Sequence, residues 1–278
     1  MRPGEESKTA VLVCMSRALA DSDVAIPWFS DATAFAFLPD DARARVMAIR
    51  EGVPTQGAKD ALFRGYLLRQ ARVMAARTET IDDVVRSASP RAVVLLGAGL
   101  DGRAFRLDAL SDAVVFEVDH PDSQRPKRVR AAALPRVARE IRYVPLDFAT
   151  DDLDEALERA GHSSDVPTVW IWEGVVMYLT RDAMRATLAA IVGRSAPAST
   201  LIVNYHTARS GLWARLVLRL IGEPQISTWT KEEMAADLAS VGFVVREDSG
   251  MADWNVRFAQ GKARVERALY MRIVIGRK

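Results

Sequence analysis

The sequence predicts an α/β protein in which a seven-stranded, largely parallel sheet carries helices on both faces. Short apolar runs typical of buried strands recur from residue 92 onward, and segments of helical length separate most of them. Parallel strands need such crossover segments, which then cover the faces of the sheet. The first run is followed directly by Gly97-Ala98-Gly99. A glycine turn after the first strand of such a sheet is typical of a nucleotide-type site.

The composition is that of an ordinary globular protein, and it limits the classes of partner. The chain has 278 residues, 49% of them hydrophobic and 27% charged, with a formal net charge of +2. A charge so close to zero does not favour nucleic acid or an anionic membrane as the partner. The sequence has no apolar stretch of the roughly 20 residues that span a bilayer. Because the N-terminal residues also lack the apolar core of a signal peptide, we expect a cytoplasmic protein.

The first 90 residues predict helices without intervening strands. Four helices are expected, namely one through Val11, Met15 and Leu19 and others over 40–51, over 59–76 and after Thr78. The lone Cys14 excludes an intrachain disulfide, and we expect it to be a buried thiol. A helical prefix of this size cannot belong to the sheet. We therefore expect residues 1–90 to form an N-terminal helical cap that packs over the sheet or acts as a lid, and residues 91–278 to form the main domain.

The strands and helices of the main domain can be placed from their apolar spacing. Strands are predicted over 92–97, 113–118, 140–144, 167–173, 198–205, 243–247 and 269–276. Met184, Leu188 and Ile191 mark one helix, and Thr230 with Glu233 forms a capping box that opens another. Residues 248–262 are rich in Gly, Asp and Asn and show no clear helix. They predict a hairpin that places the last strand antiparallel at the edge of the sheet.

A further apolar helix is predicted between residues 210 and 222. Leu212, Leu216 and Leu220 share one face of this helix, with Trp213 beside them. Two interpretations are open. The helix either packs on the core or covers a site at the ends of the strands, in which case residues 207–227 form a lid-like insertion.

The glycine turn belongs to a literal G-x-G-x-x-G pattern over residues 97–102, with Glu117 and Asp119 at the tip of the next strand. Taken alone, this pattern suggests a nicotinamide or flavin dinucleotide. Asp101, however, lies where the following helix should begin, and a carboxylate there would repel a pyrophosphate. The same carboxylate would suit a ligand with an ammonium group. This favours S-adenosylmethionine, which has a ribose and an amine but no phosphate.

Four sequence blocks in order resemble the leucine carboxyl methyltransferase family, which includes bacterial O-methyltransferases of polyketide and other small-molecule pathways. The resemblance rests on residues 96–107 (LGAGLDGRAFRL), residues 116–121 (FEVDHP) with Lys127 and Arg128, residues 170–179 (WIWEGVVMYL), and the N-terminal pieces 7–10 (SKTA), 76–78 (ART) and 81–83 (IDD). It covers the chain from about residue 7 onward. Gly102 departs from the family, which usually has Thr there. The resemblance implies a Rossmann-like class I methyltransferase sheet with its last strand antiparallel, and S-adenosyl-L-methionine as the cofactor.

The resemblance also implies roles for residues around the methionine part of the cofactor. Arg77 would pair with the methionine carboxylate, for which a guanidinium fork is suited. Gly97, Ala98 and Gly99 would line the turn beneath the methionine part. Glu173, at the tip of the fourth strand, would face the methionine amine.

The adenosine part of the cofactor has its own implied partners. Asp119 would hold the ribose, although Glu117 could do so by spacing alone. Asp147 would take the exocyclic amine of adenine, with Phe148 packed beside the ring. An alternative for Asp147 is a helix cap before Thr150.

Tyr178 and His206 are the candidates for the catalytic end of the site. The resemblance implies that Tyr178 faces the methyl acceptor, although it could instead be a packed core tyrosine. His206 follows the fifth strand and could serve as a base for a hydroxyl acceptor, or be a hydrogen-bonded structural histidine. A carboxylate acceptor would need only orientation.

We therefore expect an S-adenosylmethionine-dependent O-methyltransferase acting on a small molecule, as a monomer or homodimer. The sequence contains no cluster with the spacing of metal ligands. Two alternatives stay open. One is a nicotinamide-dependent oxidoreductase, and the other is an S-adenosylmethionine-binding protein without catalytic activity.

Overall fold

The computed structural model describes residues 6–21, 23, 26–208, 224–259 and 270–278. These residues form one mixed sheet with the strand order β3-β2-β1-β4-β5-β7-β6. The strands are β1 (Ala92–Leu96), β2 (Val114–Asp119), β3 (Glu140–Pro145), β4 (Thr168–Trp172), β5 (Thr200–His206), β6 (Val244–Gly250) and β7 (Met271–Arg277). β1 to β5 pair in parallel, whereas β7 is antiparallel to both β5 and β6. This confirms the predicted fold class.

Ten α-helices lie within the described residues. They are α1 (Lys8–Asp21), α2 (Ala32–Phe37), α3 (Asp40–Arg50), α4 (Ala58–Ala88), α5 (Arg103–Arg106), α6 (Pro121–Ala131), α7 (Leu153–Arg159), α8 (Arg181–Gly193), α9 (Lys231–Ser240) and α10 (Met251–Ala259). Two short 3₁₀ turns are also present: Asp108–Leu110 precedes β2, and Val176–Tyr178 follows β4. None of the helices within the described ranges is both long and apolar enough to cross a membrane.

Alternate residues of the central strands divide the apolar side chains between two cores, because successive side chains of a strand point to opposite faces. On one face, Val93 and Leu95 of β1 pack with residues of α1 to α4. On the other face, Val94 and Leu96 pack with residues of α7, α8 and α9. The N-terminal helices therefore pack directly on the sheet, and Cys14 is fully buried among them.

The helix α4 differs from the prediction of two separate helices over 59–76 and after Thr78. A single helix of 31 residues runs from Ala58 to Ala88. The segment between the two predicted helices contains no Gly or Pro to end the first one, and Thr80 donates its hydroxyl to the carbonyl of Ala76 at 2.8 Å within the helix. This continuity places Arg77 and Asp82 on one rigid element.

The segment 248–262 also differs from the prediction, because it contains α10 rather than a loop. Met251 and Trp254 are buried on one face of this helix, and Trp254 donates its indole N–H to the Ser249 hydroxyl at 3.0 Å. The last strand, β7, is antiparallel as predicted, but it does not lie at the sheet edge. It inserts between β5 and β6, so that β6 forms the edge.

Two predicted helices of the main domain are confirmed. Met184, Leu188 and Ile191 are all fully buried on α8. The capping box at the start of α9 is present, with Thr230 and Glu233 each accepting the other's backbone N–H. The predicted helix and lid around 210–222 lie outside the described residues.

Candidate active site

A cavity of about 550 Å³ opens at the carboxyl ends of β1, β2 and β4. Ligand sites of this volume are typical of enzymes, and this edge of an α/β sheet is where ligands bind. The glycine turn after β1 forms the floor of the cavity, and α1 contributes Ala10, Val13 and Arg17 to one wall. All the predicted cofactor-binding residues line it, namely Arg77, Gly97, Ala98, Gly99, Asp119, Asp147, Phe148 and Glu173.

The glycine turn is tight because neighbouring elements approach its backbone closely. Gly97 has a φ of +69°, and a Cβ on it would lie 2.3 Å from a methyl group of Val175. Gly102, which stands where the family usually has Thr, has a separate reason to be glycine. A Cβ there would lie 1.8 Å from the Thr33 hydroxyl of α2. The third glycine of the G-x-G-x-x-G pattern therefore allows a helix to pack and is no sign of a dinucleotide site.

Of the two acids at the end of β2, Asp119 reaches the cavity and Glu117 does not. Asp119 accepts the backbone N–H of Gly99 at 2.5 Å, which ties the tip of β2 to the glycine turn. Burial raises the pKa of Asp119, although the N–H groups of Gly99 and His120 oppose the shift. Glu117 is instead buried against Lys127, with their charged atoms 2.7 Å apart.

A row of charged side chains crosses the cavity at the end of β4. Arg77 of α4 donates its Nε–H to Oε1 of Glu173 at 2.7 Å, and Arg103 of α5 donates to Oε2 at 2.8 Å. Burial alone would raise the pKa of Glu173, but the two guanidinium groups outweigh it and hold that pKa below its ordinary value. Glu173 is therefore an anion at neutral pH, with one arginine at each oxygen.

Asp101 lines the cavity, but it does not begin a regular helix. The helix that follows, α5, has only four residues, and Asp101 instead accepts both the backbone N–H and the side chain of Arg103. Burial opposes ionisation of Asp101, whereas Arg103 and Arg17 favour it and lower its pKa to about 2. Because Arg103 already balances this charge, the repulsion of a pyrophosphate by Asp101 is weaker than the sequence alone suggests.

Asp147 and Phe148 lie at the opposite end of the cavity, beyond β3. One carboxylate oxygen of Asp147 accepts the N–H of Ala149 at 2.9 Å, which closes a turn, and the other lies 3.9 Å from Nε2 of His120. The alternative of a helix cap at Asp147 is wrong, since Asp152 caps α7. Asp147 thus holds a turn with one oxygen and leaves the other at the cavity wall.

Tyr178 lines the cavity beside residues 224–229, which lie between the ends of β4 and β5. The backbone N–H groups of Ile226 and Ser227 both donate to the carbonyl of Met177, at 2.8 and 3.2 Å. The Ser227 hydroxyl adds a bond of 2.7 Å to the carbonyl of Leu179. These bonds hold Pro224 and Ile226 in the cavity wall next to Tyr178, so this end of the described wall is apolar.

His206 is not brought into the described wall of the cavity. Its ring is buried against Tyr270, and its Nδ1 lies 3.4 Å from the amide nitrogen of Gln225. Burial, together with the charge of Arg77, lowers the pKa of His206 to about 3. A buried imidazole that binds a proton so weakly is a poor general base, and its position does not support that role.

Sequence patterns give no role to Arg103, Arg17 or His120. All three lie at or next to the cavity, and Arg103 is the most buried of them. A signal for Arg103 was present, because an arginine directly after the glycine turn must find acidic partners if the turn is buried. Its partner Asp82, 21 residues earlier, could not be identified from spacing.

Comparison with known proteins agrees with this geometry. A family model described as leucine carboxyl methyltransferase matches residues 10–192. A relative from Mycobacterium marinum is 41% identical over 136 residues, which are 48% of this chain and 45% of that protein. A relative from Frankia alni is 36% identical over 206 residues, which are 72% of this chain and 68% of that protein. Both are named "Putative S-adenosyl-L-methionine-dependent methyltransferase". The chain spans about half the length of the first of these relatives.

A solved structure shares the fold over the whole chain. It is described as a "putative methyltransferase" from Thermobifida fusca, and it matches with a TM-score of 0.56 and 17% identity. The match covers 100% of this chain and 96% of that structure. At this identity the likeness concerns the fold alone.

Proposed function

The chain belongs to the leucine carboxyl methyltransferase family, with S-adenosylmethionine as its cofactor, and we propose that it methylates an oxygen of a small molecule. The observation that carries the proposal is the pair formed by Arg77 and Glu173. A buried cation and a partly exposed anion lie 2.7 Å apart on the wall of the cavity, next to the glycine turn. A zwitterionic amino-acid group needs such a pair, whereas a dinucleotide does not.

The residues present fit the cofactor at each of its parts. Arg77 would hold the methionine carboxylate and Glu173 the amine, while the glycine turn lets the backbone approach closely. Asp119 would accept hydrogen bonds from the ribose hydroxyls. The outer oxygen of Asp147 and the ring of Phe148 would receive the adenine. Glu173, the glycine turn, Asp119 and Asp147 lie at or just after the ends of strands β4, β1, β2 and β3, which are neighbours in that order in the sheet, and this supports the proposed order of the methionine, ribose and adenine parts.

When bound, the cofactor supplies a methyl group on a positively charged sulfur, which is a good leaving group. The chain then has to orient the acceptor oxygen and exclude water. Tyr178, Leu179, Pro224 and Ile226 form an apolar wall suited to a small apolar or aromatic acceptor. Such acceptors are typical of secondary metabolism, including polyketide pathways, and we place the activity there and in the cytoplasm.

The acceptor oxygen belongs to a carboxylate or to a hydroxyl group. A carboxylate is ionised at neutral pH and needs only orientation, whereas an alcohol needs a base. The burial of His206 away from the described wall favours an acceptor that is already ionised. In this proposal residues 1–90 cap the sheet, and residues 91–278 form the methyltransferase domain.

The proposal is tested first by binding and then by turnover. Calorimetry with S-adenosylmethionine and with NAD should detect the first and not the second, and binding of NAD alone would contradict the proposal. Transfer of a labelled methyl group to a panel of aromatic carboxylic acids and phenols then tests for catalysis. Cofactor binding without transfer to any acceptor of the panel would favour a non-catalytic binding protein.

A further inference from the structure

Arg103 is a fully enclosed charged side chain next to the cofactor cavity, and it joins three parts of the fold. Its side chain is fully buried. Its Nε donates to Asp82 of α4 at 2.6 Å, and its Nη1 donates to Asp101 after the glycine turn and to Glu173 after β4. A guanidinium can hold three carboxylates in one plane, which an ammonium group cannot do with the same geometry.

The two arginines that flank Glu173 are not equivalent. Arg77 contacts Glu173 through one bond to Oε1 and lines the cavity, where a ligand can reach it. Arg103 contacts Oε2 and also donates to two further carboxylates, those of Asp82 and Asp101. Arg103 does not line the cavity. An incoming carboxylate can therefore compete for Arg77 but has no access to Arg103.

We propose that Arg103 is the positioning residue that keeps Glu173 oriented and ionised for the cofactor amine when Arg77 turns to the cofactor carboxylate. This inference rests on the proposed binding of an amino-acid group by Arg77 and Glu173. When Arg77 engages a ligand, Oε1 of Glu173 becomes available to the amine, and Oε2 keeps its bond to Arg103. The hydrogen bond that Arg103 Nε donates to Asp82 connects this restraint to α4, the helix that also bears Arg77.

The acids around Arg103 explain why a buried cation is tolerated there. Asp82 also pairs with Arg106 at 2.7 Å, and Arg106 in turn lies 3.3 Å from Asp31. The positive and negative side chains thus alternate from α2 to the tip of β4. An amino-acid ligand adds one charge of each sign and leaves this balance unchanged.

The test compares two ligands that differ in the amino-acid group. S-adenosylhomocysteine carries it, whereas 5′-methylthioadenosine keeps the adenosine and the thioether without it. For Arg103→Lys, which retains the charge but loses the fork, we expect S-adenosylhomocysteine to bind at least about tenfold more weakly, or about 1.4 kcal/mol. The dissociation constant of 5′-methylthioadenosine should stay within about twofold. Both constants are measured by calorimetry on the full chain.

Equal weakening of the two ligands, or weakening of neither, would overturn the role of Arg103. If Arg103→Lys does not fold, Asp82→Asn serves instead, since it removes the charged partner of Arg103 Nε. This variant should also weaken S-adenosylhomocysteine binding selectively, but by a smaller factor. Arg86→Lys is the matched control, because Arg86 lies on the same helix and contacts two carboxylates at 2.6 and 2.7 Å near the surface. It should change neither constant. A wild-type chain that binds neither ligand would contradict the proposed function itself.

Discussion

The two faces of the sheet are built from different chemistry. The face covered by α7, α8 and α9 is filled with large aromatic side chains, and Trp170, Trp172, Tyr205 and Trp229 are all almost fully buried there. The face covered by the N-terminal helices carries buried ions, among them Arg17, Asp31, Asp82, Arg103, Glu117 and Lys127. The cofactor cavity borders the ionic face, since Arg77 and Glu173 belong to the same row of charges.

The aromatic face stabilises the fold, whereas the ionic face contributes to the site. Burial of apolar surface stabilises the aromatic face without a need for partners. Buried charges contribute little net stability, because desolvation opposes their attraction, and each depends on its partner. On the ionic face, ion pairs link Arg77 and Glu173 at the cavity to Arg103 and Asp82, so this face positions the site.

The largest effect is expected for Lys127→Met on the ionic face. Lys127 and Glu117 are each 1% exposed and lie 2.7 Å apart, so the variant leaves a carboxylate buried without its counter-charge. Breaking a buried pair in this way costs about 3–5 kcal/mol of the free energy of unfolding. Urea unfolding at neutral pH measures it. The double variant Lys127→Met with Glu117→Leu should recover most of the loss, and a double variant as unstable as the single one would show that packing, not charge, is responsible.

A smaller effect is expected from His162 on the aromatic face. His162 packs between Phe116 and Trp170, and burial, together with the charge of Arg194, lowers its pKa from 6.5 to about 4. The unfolded chain therefore binds a proton at higher pH than the folded one. The contribution to stability is present above pH 6.5 and is lost as the pH falls toward 4, by about 1.4 kcal/mol per pH unit at most. This predicts a loss of about 2 kcal/mol between pH 6.5 and 5.

Urea unfolding of the wild type and of His162→Asn over this pH range measures the effect. The variant should show a clearly flatter dependence on pH, although His206, whose pKa is also lowered by burial, adds a slope of the same sign to both proteins. Identical pH dependence in the two proteins would contradict the assignment to His162.

The smallest free-energy change is expected for Arg77→Ala, and it concerns binding. Loss of a charged hydrogen bond to the cofactor should weaken binding at least tenfold, on the order of 1.4 kcal/mol. Calorimetry with S-adenosylhomocysteine measures the dissociation constant. Arg86→Ala, on an exposed part of the same helix, is the control and should bind normally. A dissociation constant that stays the same in Arg77→Ala would remove Arg77 from the site.

Much of the fold was predictable because its signals are local. Strand positions follow from short apolar runs, and six of the seven strands lie within two residues of their predicted bounds, while β6 ends three residues later than predicted. The errors arose where a local signal was weak. The Gly, Asp and Asn content of residues 248–262 hid helix α10, although Met251, Trp254 and Phe258 recur at helical spacing. The position of β7 inside the sheet depends on strand pairing, which spacing along the chain does not specify.

The candidate site, too, combines features that local sequence predicts with features that depend on tertiary structure. The sequence alone determined the glycine turn, the acids at the strand ends and the resemblance to the family, because each is a pattern of adjacent residues. The tertiary structure decided that Asp119 faces the cavity while Glu117 is buried against Lys127. It likewise decided that His206 lies off the described wall and that Thr33 requires a glycine at 102. These outcomes depend on which distant residue fills each space and balances each charge, and burial and pairing of that kind exist only once the chain has folded.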